Sequence, residues 1–182
     1  MYNVLKEIME VIALTEEVQR FSETIFNVLG KNIQRIREKR QYTYLELQQR
    51  SGYSRQYISF LESGKKDVRL STVVRIAQAL NVSLVQLVSR GFDSGRERPD
   101  EDFINDDFLL VFNTNVRRTL RAANKKEADI CQKIDMDPET LSRILTHKIQ
   151  NPRLSTLAKI ATGVDTDLNE LLCRNEGGNN TL

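Results

Sequence analysis

Residues 69–77 read RLSTVVRIA, and residues 153–161 read RLSTLAKIA. Six of the nine positions are identical, and Val73/Leu157 and Arg75/Lys159 exchange like for like. A phrase that recurs 84 residues further on marks an internal repeat, so the reach of the repeat decides the architecture.

Outward from the first phrase, each segment carries its own boundary signals. Ile33 and Ile36 lie one helical turn apart, with Arg35, Arg37, Lys39 and Arg40 on the other faces, which predicts an amphipathic helix with a basic outer side. Thr43 and Glu46 have the spacing of a capping box, opening a second helix that runs to about Ser51. Gly52 suits a positive-φ turn and Ser54 caps a third helix to about Ser63, with Gly64 at its C-terminal cap. Ser71 begins a fourth helix, with Val73, Val74, Ile76, Ala77 and Leu80 inward. Ser83 caps a short fifth one, with Leu84, Leu87 and Val88 inward.

The same plan returns at an offset of 83, rising to 84 after one inserted residue near Asn151. Ile130 falls on Leu47, Asp135 on Gly52, Asp137 on Ser54, Leu141 on Ile58, Ile144 on Leu61, and Leu168 and Leu171 on Leu84 and Leu87. The expected fold is all-α: two tandem five-helix units over residues 29–90 and 108–174. Residues 1–28 read as a helical arm, with Leu5, Ile8 and Ile12 on one stripe and Val18, Phe21, Ile25 and Val28 on another. The arm either packs on its own unit or joins two chains. Residues 91–107, GFDSGRERPDEDFINDD, read as an acidic linker, and 175–182 as a disordered tail.

Composition narrows the function. Net charge is only +2, but residues 29–91 carry +8, between −3 for residues 1–28 and −5 for residues 92–110. A compact basic segment flanked by acidic ones is the footprint of a polyanion-binding module. No apolar run approaches the ~20 residues of a membrane helix, and Glu7 and Glu10 stand where a signal peptide would be basic and then apolar. A cytoplasmic protein is expected, with Cys131 and Cys173 as reduced core thiols. One histidine and two distant cysteines give no metal constellation. No catalytic site and no cofactor is expected, since neither a nucleophile motif nor a phosphate loop is present.

LQQRSGYSRQYISFLESGKK at 47–66, followed by RLSTVVRIAQALNVSL at 69–84, resembles the Xre class of Cro and phage-repressor helix-turn-helix domains. Residues 112–172 resemble the same family more weakly. The resemblance implies two lambda-repressor-like domains and a role in binding double-stranded DNA. In that geometry the second helix crosses the phosphate backbone and the third lies in the major groove. It places Arg55, Gln56 and Phe60 at base-reading positions. Arginine can pair with guanine and glutamine with adenine, while Phe60 would meet thymine methyls or turn into the core. Tyr57 and Ser59 suit phosphates, as do Thr43 and Tyr44 at one helix N-terminus, Ser54 at the next, and Lys65, Lys66 and Arg69 beyond the third helix. The family usually carries glutamine where Tyr44 stands and alanine where Gln48 stands.

The second copy opens its third helix with Asp137-Pro138-Glu139 where the first has Ser54-Arg55-Gln56. This is a sound helix start, but it sets two carboxylates where phosphates would lie. Residues 111–182 carry only +2, so oligomerisation or partner binding is set against DNA contact through Arg117, Arg118, Arg121, Arg143 and Lys148. The expectation is a transcriptional regulator, a repressor binding a palindromic operator as a dimer or higher oligomer. The alternative is a DNA-tethered adaptor whose second unit holds a regulatory protein, as in antitoxins.

Overall fold

A computed structural model describes residues 25–90 and 107–174, which are helical with no named strand. The arm over residues 1–24, the linker over 91–106 and the tail over 175–182 lie outside the described residues. Helix α1 covers residues 25–39, followed by α2 Tyr44–Ser51, α3 Arg55–Glu62, α4 Leu70–Leu80 and α5 Leu84–Val88. The second unit has α6 Phe108–Ala122, α7 Glu127–Lys133, α8 Pro138–Leu145, α9 Leu154–Gly163 and α10 Leu168–Leu172.

The boundary expected at residue 28 falls inside a helix. Ile25 and Leu29 are buried with Ile33 and Ile36 on one stripe of α1, so the first unit reaches back at least to residue 25. Asp107, expected as the last linker residue, is instead the N-cap of α6 and accepts the Leu110 amide at 3.1 Å. With that frame the repeat extends into the first helices: Ile25 corresponds to Phe108, Leu29 to Phe112, Asn32 to Asn115 and Ile33 to Val116. The asparagines do the same work. Asn32 Nδ2 donates to the carbonyls of Leu87 (2.9 Å) and Ser89 (3.0 Å). Asn115 Nδ2 donates to those of Leu171 (2.9 Å) and Cys173 (2.8 Å). Each satisfies the orphan carbonyls that end the fifth helix of its unit and ties it to the first.

The local signals behave as their chemistry requires. Thr43 and Glu46 form the capping box of α2, the Thr43 amide reaching Glu46 Oε2 at 2.6 Å. Ser83 and Gln86 form that of α5. Asp137 caps α8 through the Thr140 amide at 2.7 Å, with Pro138 at the first helical position. That bond lowers the Asp137 pKa. Gly52 and Gly64 have φ of +71° and +67°, and their counterparts Asp135 and His147 keep +46° and +61°.

The two units are joined through the stretch that opens both copies of the repeated phrase. Arg69 and Arg153 face each other in an antiparallel bridge. The Leu70 amide donates to Pro152 O at 2.9 Å, and the Leu154 amide donates to Val68 O at 2.7 Å. Beside this bridge the helix starts exchange caps. Neither Arg69 nor Arg153 caps its helix with its side chain. Asn151 Oδ1 takes the Ser71 amide at 3.0 Å, and Asp67 Oδ1 takes the Ser155 amide at 3.2 Å. Finally, α5 packs on α10.

The two first-copy glycines separate the cost of φ from the cost of space. A Cβ on Gly52 meets nothing within 4 Å, whereas one on Gly64 falls 2.5 Å from Asn27 Oδ1 and 2.9 Å from Asn27 Cα. Gly52→Ala should cost about 1 kcal/mol and Gly64→Ala about 2–4 kcal/mol, read from urea unfolding midpoints. Equal losses would mean that α1 does not pack against the end of α3 as described.

Candidate nucleic-acid interface

The two helices of the motif are set by a buried core and a buried ion pair. Leu47, Ile58 and Leu61 are buried between α2, α3 and α4. Above them Arg37 Nε donates to Glu62 Oε1 at 2.6 Å and its Nη2 to Oε2 at 3.0 Å. The Tyr44 hydroxyl donates to the same Oε2 at 2.7 Å, and the Arg37 guanidinium lies 4.3 Å from the Tyr44 ring centroid. The bond to Glu62 raises the pKa of Arg37 and of Tyr44. The start of α2, the end of α3 and the first helix are thereby fixed to one carboxylate.

That arrangement decides what Tyr44 can offer to DNA. Its side chain is half-buried and committed to Glu62, so a phosphate would meet its backbone amide rather than its hydroxyl. Thr43 is exposed, its hydroxyl taken up by the capping box. Ser54 caps α3 through the Tyr57 amide at 3.2 Å. Tyr57 is half-buried, its ring 4.9 Å from that of Tyr53 and 4.5 Å from Lys66 Nζ.

The outward face of α3 carries Arg55, Gln56, Ser59 and Phe60, all exposed. Phe60 is 59% exposed, which settles its orientation: away from the core. Lys65 and Lys66 follow on the same exposed edge. Arg69 is exposed too, but its Nη1 donates to Asn151 O at 2.9 Å and its backbone forms the bridge to the second unit. Gln48, where the family favours alanine, is exposed on α2.

In the second unit the equivalent face of α8 presents Glu139, Ser142 and Arg143, again exposed, with Lys148 beyond. The ion pair has no counterpart there: Leu120 and Leu145, both buried, stand where Arg37 and Glu62 stand. Of the basic residues considered for this unit, Arg117 donates to Leu145 O at 2.9 Å.

The Asn32 and Asn115 bonds, the Arg37–Glu62–Tyr44 cluster and the exchanged caps were missed by the sequence reading. The asparagines were signalled by their shared place in the repeat.

A helix-turn-helix unit is thus built twice in one chain. The comparisons agree: a helix-turn-helix family model matches residues 33–87, and the Cro/C1-type HTH DNA-binding domain model matches residues 115–176. An uncharacterised HTH-type transcriptional regulator, y4dJ, of Sinorhizobium fredii is 42% identical over 62 residues, covering 34% of this chain and 80% of that protein. The control protein C.SmaI of Serratia marcescens is 33% identical over 66 residues, covering 36% of this chain and 79% of the relative. No solved structure matches significantly. The chain belongs to the helix-turn-helix transcriptional regulators of the Cro/C1 type. The second of these families is one of DNA-binding domains, and no described helix is long and apolar enough to cross a membrane.

The ion pair yields a direct test. Glu62→Leu alone strands a buried guanidinium and should cost about 3 kcal/mol. Combining it with Arg37→Leu recreates the apolar pair of the second unit and should return to within about 1 kcal/mol of the parent protein. Denaturant titration of the three proteins reads this, and an equally damaged double variant would refute the equivalence.

Proposed function

We propose that the protein is a sequence-specific transcriptional repressor acting in the cytoplasm on promoter DNA, with α3 as its principal base-reading helix. The observation that carries this is the outward row of Arg55, Gln56 and Phe60 on a helix held rigidly by the Glu62 cluster. The guanidinium pairs with guanine O6 and N7, the carboxamide with adenine N6 and N7, and the exposed ring with thymine methyls. Lys65, Lys66, Arg69, Ser59, Tyr57 and the helix starts at Thr43–Tyr44 and Ser54 grip phosphates and set the register. Repression follows from covering the promoter. Regulators of this docking geometry place two units on half-sites about 34 Å apart, a palindrome in its strict form. A dimer or higher oligomer of chains joined through the N-terminal residues is part of this reading.

A second reading is favoured by one observation: Asp137 and Glu139 place two carboxylates at the exposed start of α8. In that reading the second unit holds a regulatory protein while the first stays on DNA.

Binding to sequences selected from a random duplex pool tests the first reading. Arg55→Ala should lose about 1–3 kcal/mol of affinity and relax preference at one guanine. Lys65→Ala should weaken all sequences equally and flatten the salt dependence by about one phosphate contact. An unchanged selected motif with Arg55→Ala would mean that α3 does not read bases.

A further inference from the structure

The bridge and the caps that join the two units pair segments with their own counterparts. The bridge joins Arg69 to Arg153, equivalent residues 84 positions apart. The bonds from Leu70 to Pro152 and from Leu154 to Val68 exchange under the same shift. So do the caps, Asn151 on Ser71 and Asp67 on Ser155, and so does the packing of α5 on α10. Contacts of this kind are isologous, as in a two-fold dimer, and an isologous patch that is filled is closed to further copies. The chain has therefore built within itself the arrangement that a homodimer would make between chains.

Helix α3 ends seven residues before Arg69 and α8 ends eight before Arg153. At ~3.3 Å per residue, each helix end lies no more than about 26 Å from the bridge, an upper bound that admits the ~34 Å spacing of successive grooves. The two reading faces are unlike. Where α3 offers Gln56 and Phe60, α8 offers Glu139 and Arg143, all exposed. A carboxylate accepts from cytosine N4, and a guanidinium pairs with guanine.

We propose that a single chain is a closed pseudo-dimer that reads an operator of two unlike half-sites, α3 on one and α8 on the other. The α8 half-site is specified by cytosine through Glu139 and guanine through Arg143. This rests on the DNA-binding reading above, and it replaces a true palindrome with a two-part, asymmetric site. Assembly of chains is then not required to occupy one operator.

The test is selection of duplexes from a random pool with the full chain, followed by sedimentation of the complex on the selected duplex. One chain should bind per duplex, and the motif should hold two dissimilar blocks centred ~10 base pairs apart. Arg55→Ala should erode one block only, and Arg143→Ala or Glu139→Gln the other only. A palindrome occupied by two chains, or a single block indifferent to Arg143→Ala, would overturn the pseudo-dimer while leaving the role of α3 intact. Absence of any selected motif would overturn the DNA-binding reading, and this proposal with it.

Discussion

The starts of α4 and α9 lack caps from their own units, and each takes one from the other. A helix N-terminus leaves amides without intrahelical partners. Here the first two helical amides of each helix are satisfied across the pseudo-dyad, by Pro152 O and Asn151 for α4 and by Val68 O and Asp67 for α9. A missing cap costs about 0.5–2 kcal/mol, so separating the units would destabilise both. These helices also supply Val73, Ile76, Leu157 and Ile160 to their cores. Inter-unit contact and core formation are therefore coupled, and the positions of α3 and α8 depend on both.

Much of this was legible in the residues. Capping boxes, glycine turns and apolar spacing placed the helices because each is a local signal whose physics acts within a few residues. The outward side of α3 was legible for the same reason: Ile58 and Leu61 fix which side is buried and leave Ser54, Arg55, Gln56, Tyr57, Ser59 and Phe60, of which Tyr57 is half-buried. The choice of Arg55, Gln56 and Phe60 came from the family resemblance, and the exposure of Phe60 from the structure alone. The counterpart positions also held, with Asp135 and His147 keeping the left-handed turns of Gly52 and Gly64.

What could not be read is long-range pairing. Glu62 lies 25 residues from Arg37 and 18 from Tyr44, and nothing local distinguishes it from a solvated helix-surface carboxylate. Asp67 and Asn151 look like ordinary loop residues, since a cap supplied from 80 or 88 residues away leaves no spacing signature. The boundary at residue 28 failed for a related reason. Ile25 and Leu29 continue the stripe of Ile33 and Ile36, but the same periodicity continues from residues 18 and 21, so the pattern alone could not divide arm from domain.

The unequal chemistry of the two units has a physical logic. Replacing the Arg37–Glu62 pair by Leu120 and Leu145 removes a desolvated charge pair at little cost in stability, while the acidic start of α8 changes what that face can recognise. The framework is kept and the reading surface altered, as expected when one unit supports the other. Amide hydrogen exchange at Leu70 and Leu154 tests the pseudo-dyad most directly, because these first helical amides have no partner within their own helices. The account predicts that both exchange at least ~100-fold more slowly than unstructured amides in the free chain. Exchange of both at the unstructured rate, with Ile76 and Ile160 still protected, would show two folded units that do not dock, and would contradict it.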